Sequence, residues 1–182
     1  MNIDFYQQQA MRTSPADHDR VLNGCMGLIG ESGELVDIIK KYRFQSLPGT
    51  ELPKDEIIKE CGDVLWYIAE TASGLKQQRS SIISEEAEKT YFSQNTILEH
   101  EAMLLTELGC MIYKFCILHR MPDCAFPLLE DMYRHVAAIL HGCGVSVDEA
   151  MKRNIEKLKK RYPDGFDAER SVNRDKYEHC FA

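Results

Sequence analysis

The chain has 182 residues, 44% of them hydrophobic, and a formal net charge of −7. That is length enough for one domain with a substantial core, and the acidic balance argues against a general nucleic-acid surface. The opening MNIDFYQQQ has neither a basic start nor an apolar core, so no secretory leader is expected, and no run reaches the roughly 18 apolar residues of a membrane span. Seven cysteines, odd in number and without a CxxC pair, read as reduced thiols and not as a disulfide frame or zinc site, which suits a cytoplasmic protein.

Apolar residues recur at three and four along most of the chain and no segment alternates as a strand would, so the expected class is all-α, an antiparallel helix bundle. A short helix near the N-terminus is followed by helices over about 17–42, 54–76, 97–119, 125–141 and 147–161. Breaks fall at TSPAD, LPGTELPKD, HRMPD and HGCGVS. The polar KQQRSSIISEE reads as a linker. Ser146 with Glu149 three residues on reads as a capping box opening the last helix, and the tail after Tyr162–Pro163 carries no period.

Two of these helices carry the same unusual phrase. LIGESGEL, Leu28–Leu35, and IIKECGDV, Ile57–Val64, share the order apolar, apolar, x, Glu, x, Gly, acid, apolar. At about 100° per residue, Glu31 falls between Leu35 and Ile38 on the flank of the apolar stripe, with Glu34 one step further round. Glu60 falls between Val64 and Tyr67, with Asp63 one step further. The short connection makes the two helices antiparallel neighbours, so four carboxylates can converge at one seam. A single such pair is most simply a solvated helix face. Two pairs at one angle, each beside Leu, Ile, Val or Tyr, lose solvation and repel, and a bound cation would compensate. Oxygen-only donors suit a hard ion, Mg²⁺ or Mn²⁺. Gly33 and Gly62 sit between the acids in both copies, where glycine costs about 1 kcal/mol against alanine; close backbone approach or room for a ligand would justify it. Di-iron chemistry is disfavoured, because none of the six histidines follows a Glu by three.

GLIGESGELVDIIKK followed by IIKECGDVLWYIAE resembles the MazG-like all-α nucleoside triphosphate pyrophosphohydrolases, whose signature is ExxE on one helix and ExxD on the next. QQQAMRT upstream and NIEKLKKRYPDGF downstream are also similar to the family's flanks, so the likeness covers roughly 1–76 and 147–175. The resemblance implies Mg²⁺-dependent cleavage of a nucleoside triphosphate, a dNTP foremost, to monophosphate and pyrophosphate, as nucleotide-pool housekeeping. It assigns Glu31, Glu34, Glu60 and Asp63 to metal binding and catalysis. The family often has a further Glu just before the first; here that position is Gly30, so metal-bound hydroxide or one of the four acids must take its role.

Cations should meet the phosphate charge that metal leaves uncovered. Asn154, Lys157 and Arg161 share one face of the last helix at i, i+3 and i+7, and the similar family helix supplies substrate contacts. Their bland reading is a basic helix end favourable to the dipole. Lys41, near the Glu34 side of its helix, could reach a phosphate or pair with an acid; Arg170 and Arg174 are weaker candidates. Trp66 points off its apolar stripe and reads as packing sooner than as base stacking; Phe5, Tyr6 and Tyr42 are equal stacking candidates.

The whole chain, 1–182, is expected to be a single domain with core 1–76 and 147–175. The stretch 77–146 is too long for a loop. LLTELGCM at Leu104–Met111 and LLEDMYRH at Leu128–His135 echo the acidic phrases, matching Glu107 to Glu31 and Asp131 to Glu60. Cys110 and Arg134 stand where the second acids stood. The stretch is therefore either a decayed copy of the hairpin, making one chain a pseudo-dimer, or an unrelated helical insertion; association into a homo-oligomer stays open. A catalytically inactive nucleotide sensor or a helical interaction protein are the alternatives to an enzyme.

Overall fold

The computed structural model describes residues 1–83 and 97–173. Asn2 accepts from the amides of Asp4 and Phe5 to cap α1, Ile3–Met11, and Asp19 accepts from Leu22 to cap α2, Arg20–Gln45. After the Pro- and Gly-containing turn come α3, Lys54–Gly74, and a single 3₁₀ turn at Arg79–Ser81. Helix α4, Leu98–Tyr113, runs on as a π turn, Lys114–Leu118. A 3₁₀ turn at Pro122–Cys124 leads into α5, Ala125–Gly142, then α6, Val147–Arg161, and α7, Ala168–Val172. Among the described residues there is no strand, and no helix is long and apolar enough to cross a membrane.

The expected helix bounds hold closely, and α6 begins where its cap predicts, with Ser146 Oγ accepting from Glu149 N at 3.1 Å. The reciprocal half of the box is absent, because the Glu149 carboxylate takes Arg153 at 3.0 Å instead. The tail is not wholly irregular: Asp167 caps the short α7 through Arg170 N at 2.8 Å. The end of the expected linker from Ser84, Arg174 and Cys180 lie outside the described residues. The six described cysteines are free thiols.

Helices α2 and α3 form the tightest pair, α4 lies along the other side of α2, α5 packs on α4 and α3, and α6 with α1 closes over α3. The sequence of α2 explains its close seam. A Cβ on Gly24 would stand 2.2 Å from Thr71 Oγ1, and one on Gly27 would stand 2.1 Å from the Tyr67 ring. Only glycine leaves room there for the α3 backbone at Thr71 and for the Tyr67 ring. On the far side, Arg43 Nε meets Glu99 at 3.4 Å and Gly109 sits against the Leu28–Ile29 backbone, which fixes α2 and α4 as antiparallel. Leu28, Leu35, Ile57, Leu65, Ile68, Leu105, Ile112, Leu129, Met132 and Ile139 are fully buried between the four long helices. Placing these large apolar side chains out of water, at roughly 1.5–3 kcal/mol each, is what holds the bundle together.

Along α4 the buried positions are Ala102, Leu105, Gly109 and Ile112, the same spacing as Cys25, Leu28, Ser32 and Leu35 on α2. In that register Glu107 pairs with Gly30 and Leu108 with Glu31, one residue away from the match suggested by the LLTELGCM echo. Glu107 and Asp131 are both exposed.

Candidate functional site

The antiparallel seam between α2 and α3 brings Glu31, Glu60 and Asp63 together, each offering a carboxylate oxygen within 4.8 Å of the others. They are placed by ordinary helix geometry: Glu60 and Asp63 are one turn apart on α3, and Glu31 faces them from α2 because Gly24 and Gly27 admit the close seam. Among the described residues this is the one acidic or His/Cys cluster with such spacing. Glu34 stands outside the tight triad. It is exposed at the rim, one turn along α2, and lines the same cavity.

The triad is electrostatically crowded. Burial, then the charges of Asp63, Glu34 and Glu60, push the Glu31 carboxyl up to about 8, and a hydrogen bond with Glu60 adds to the shift. Without a cation, Glu31 therefore holds a proton at neutral pH. Glu60 is 5% exposed, and its Oε1 accepts from Lys59 Nζ at 3.0 Å. Asp63 accepts from two groups on α6. Asn154 Nδ2 lies 3.0 Å from Oδ1 and Lys157 Nζ lies 2.6 Å from Oδ2. The Asn154 amide is itself fixed from behind, its carbonyl accepting from the Tyr6 hydroxyl at 2.9 Å. Gly62 makes this possible, since the Asn154 side chain lies only 3.1 Å from where its Cβ would be.

The acids open into a cavity of about 420 Å³, a size suited to a small-molecule ligand. Lys59 and Arg161 line it beside the acids; Trp66, Tyr67, Tyr162 and Phe166 give it aromatic walls; Thr13, Pro15 and Asn23 line it as well. Arg161 is 9% exposed, with its guanidinium carbon 5.9 Å from the Tyr162 ring centroid. The Trp66 indole donates to Ala10 O at 3.2 Å and Thr13 Oγ1 at 3.0 Å, and stands edge-on to Tyr67 with centroids 4.8 Å apart. So Trp66 packs, as expected, while also walling the cavity.

The structure brings together Glu31, Glu60, Asp63, Asn154, Lys157 and Arg161, with Glu34 at the edge. Lys41 stands further out: its ammonium is exposed and pairs with Asp37 at 2.7 Å, one turn back on α2, while its side chain lines a shallow pocket shared with Glu34 and Glu60. Tyr6 is fully buried and spent on Asn154 and the Gly62 carbonyl, and Phe5 is half exposed. Gly33 faces open space, whereas Gly62 serves a close approach. Lys59 escaped the sequence reading. Its signal was its place beside Glu60 on the acidic face, where a cation in the phrase KECGD departs from the apolar-plus-acid pattern.

Residues 22–92 match the model of the family described as the MazG nucleotide pyrophosphohydrolase domain, a span that contains all four acids and ends before α4. The Gene 37 protein of Mycobacterium phage L5 is 32% identical over 97 residues, covering 49% of this chain and 85% of the phage protein. No solved structure matches the chain. The chain belongs to the MazG nucleotide pyrophosphohydrolase domain family.

Proposed function

We propose that this member of the MazG family hydrolyses a nucleoside triphosphate, the deoxy form first, to nucleoside monophosphate and pyrophosphate, with Mg²⁺ as cofactor and Mn²⁺ able to substitute. The observation that carries this reading is the triad of Glu31, Glu60 and Asp63, crowded enough to drive one proton onto Glu31 and opening into a cavity with cations on its wall. A hard divalent ion fits that donor set: it is all oxygen, and neutralising its charge is what the crowding calls for. When bound, the ion supplies charge neutralisation of the phosphates and a water of lowered pKa.

The chain's own residues do the rest. Glu31, Glu60 and Asp63 would hold the ion. Glu34, at the rim and outside the tight triad, is the acid free to orient the attacking water and take its proton, in place of the acid that Gly30 lacks. Lys157 and Lys59 neutralise Asp63 and Glu60 in the absence of metal. With a metal ion on those carboxylates, Lys157 and Lys59 would be free to meet phosphate charge. Asn154 positions Asp63 and can share the phosphate contact, and Arg161 faces the same charge from the cavity wall. Lys41 serves the phosphates only if it leaves Asp37, so its part is the smallest. Catalysis is then mainly positioning and electrostatics, as in other phosphoryl transfers.

We read the whole chain as one domain with core 1–76 and 147–175. In this reading, α4 and α5 are a decayed copy of α2 and α3. The support is the exchange pattern of the packing: α4 covers α2 as α5 covers α3, and the buried spacing on α4 repeats that on α2. The seam is then covered within one chain, a monomer suffices for activity, and a homo-oligomer is an addition. The free thiols are in keeping with action in the cytoplasm. A pyrophosphate-release assay over the natural nucleoside triphosphates with Mg²⁺ tests the reading. Release by the wild type and its loss in Asp63→Asn support it; no release from any triphosphate rejects it.

A further inference from the structure

Two ladders of side chains run from the acid cluster to the far end of the cavity. On α2 they are Asn23, Gly27, Glu31 and Glu34; on α3 they are Glu60, Asp63, Tyr67 and Glu70. The antiparallel pairing sets the acids at one end and Asn23 with Glu70 at the other, eight residues or about 12 Å along α2 at roughly 1.5 Å per residue. Tyr67, lying flat on Gly27, floors the space between them. That is the reach needed to carry a nucleoside from a phosphate held at the acids.

Glu70 is fully buried and takes no part in the acid cluster. Its Oε1 gathers three groups: the Ser14 hydroxyl at 3.1 Å, His18 Nε2 at 2.5 Å and Asn23 Nδ2 at 3.5 Å, while its Oε2 is buried without a partner among the described residues. Two of these ties, to Ser14 and His18, fasten the loop whose Thr13 and Pro15 line the cavity. The third settles an orientation. A carboxylate oxygen only accepts, so it is the NH₂ of Asn23 that faces Glu70. The carbonyl Oδ1 receives no hydrogen bond from a described residue, and Asn23 lines the cavity.

We propose that the far end of the cavity is the nucleobase subsite, and that Asn23, oriented by Glu70, accepts a hydrogen bond there from an N–H of the base, an exocyclic amino group or a ring imino group. The inference rests on the proposed hydrolysis of nucleoside triphosphates and assigns the base end of that substrate. Asn23 is a specificity-determining residue in this scheme and Glu70 a positioning residue.

The test compares wild type, Asn23→Ala and Glu70→Gln on the natural ribo- and deoxynucleoside triphosphates, in Mg²⁺-dependent turnover and in binding of non-hydrolysable triphosphate analogues. Asn23→Ala should raise KM for the preferred base by about ten-fold or more with kcat within about two-fold, and should flatten the ranking of bases. Glu70→Gln keeps a carbonyl that can accept from Asn23 and should preserve the ranking. Methylating the donor nitrogen of the preferred base should weaken binding to wild type and leave Asn23→Ala indifferent. An unchanged base ranking in Asn23→Ala, with normal wild-type turnover, overturns the subsite while the hydrolase reading stands. Base-selective binding that Asn23→Ala abolishes, without any turnover, upholds the subsite and overturns the hydrolase reading. A wild type that neither binds nor hydrolyses any nucleotide overturns both.

Discussion

Replacing Glu31 by Gln should stabilise the metal-free protein at alkaline pH. In the folded state burial, the charges of Asp63, Glu34 and Glu60 and the Glu60 hydrogen bond raise the Glu31 carboxyl from 4.5 to about 8. Below the unfolded value both states carry the proton and the group contributes nothing. Between 4.5 and about 8 the unfolded chain gives up its proton and the folded chain keeps it, so stability falls as pH rises through this window and stays low above it. Taken whole, that displacement corresponds to roughly 5 kcal/mol; screening by the water that reaches this half-buried group reduces it, and about 1–2 kcal/mol is expected. Gln at position 31 cannot ionise and removes the slope. Thermal unfolding in chelator across pH 5–9 should therefore show Glu31→Gln more stable than wild type by a Tm difference of about 2–8 °C above pH 8, converging near pH 5. Saturating Mg²⁺ should reverse the order, since only wild type gains binding energy from a complete triad. Parallel pH profiles for the two proteins in chelator, or a Tm lower in Glu31→Gln at pH 8.5, would refute the electrostatic account of the cluster.

Further perturbations follow from individual contacts. Gly27→Ala puts a methyl into the Tyr67 ring and should cost about 1–3 kcal/mol in chemical denaturation while also impairing turnover, because the α2–α3 seam sets the triad. Tyr6→Phe removes the phenol that holds the Asn154 carbonyl and should cost about 1 kcal/mol, with a several-fold fall in kcat read by steady-state assay. Lys157→Ala should raise KM for the triphosphate by about ten-fold or more while Mg²⁺ still binds in calorimetry, because its ammonium serves the phosphate and not the ion.

Much of this arrangement was legible in the residues. Period and caps located the helices, and α6 is correct at both ends because Ser146 opens it and Pro163 follows its close. The acidic phrases gave the seam, since equal angles on antiparallel neighbours must meet. What the sequence could not give was set by distances between helices. The wheel treats Glu31 and Glu34 alike, yet a turn along α2 carries Glu34 to the rim. It likewise treats Gly33 and Gly62 alike, whereas the glycines of the α2–α3 contact are Gly24, Gly27 and Gly74, and Gly62 serves α6. The local pair of Lys41 with Asp37 on the solvent side could not be read either, because such pairs leave no trace in a motif. Asn23 and Glu70 are ordinary helix residues until the bundle sets them opposite each other.

The most direct test of the central claim is product analysis by ³¹P NMR of a nucleoside triphosphate incubated with the purified protein and Mg²⁺. The account predicts nucleoside monophosphate and pyrophosphate in equal amounts, with turnover abolished by chelator and by Glu60→Gln. Nucleoside diphosphate with orthophosphate, or turnover that survives Glu60→Gln at saturating Mg²⁺, would contradict it.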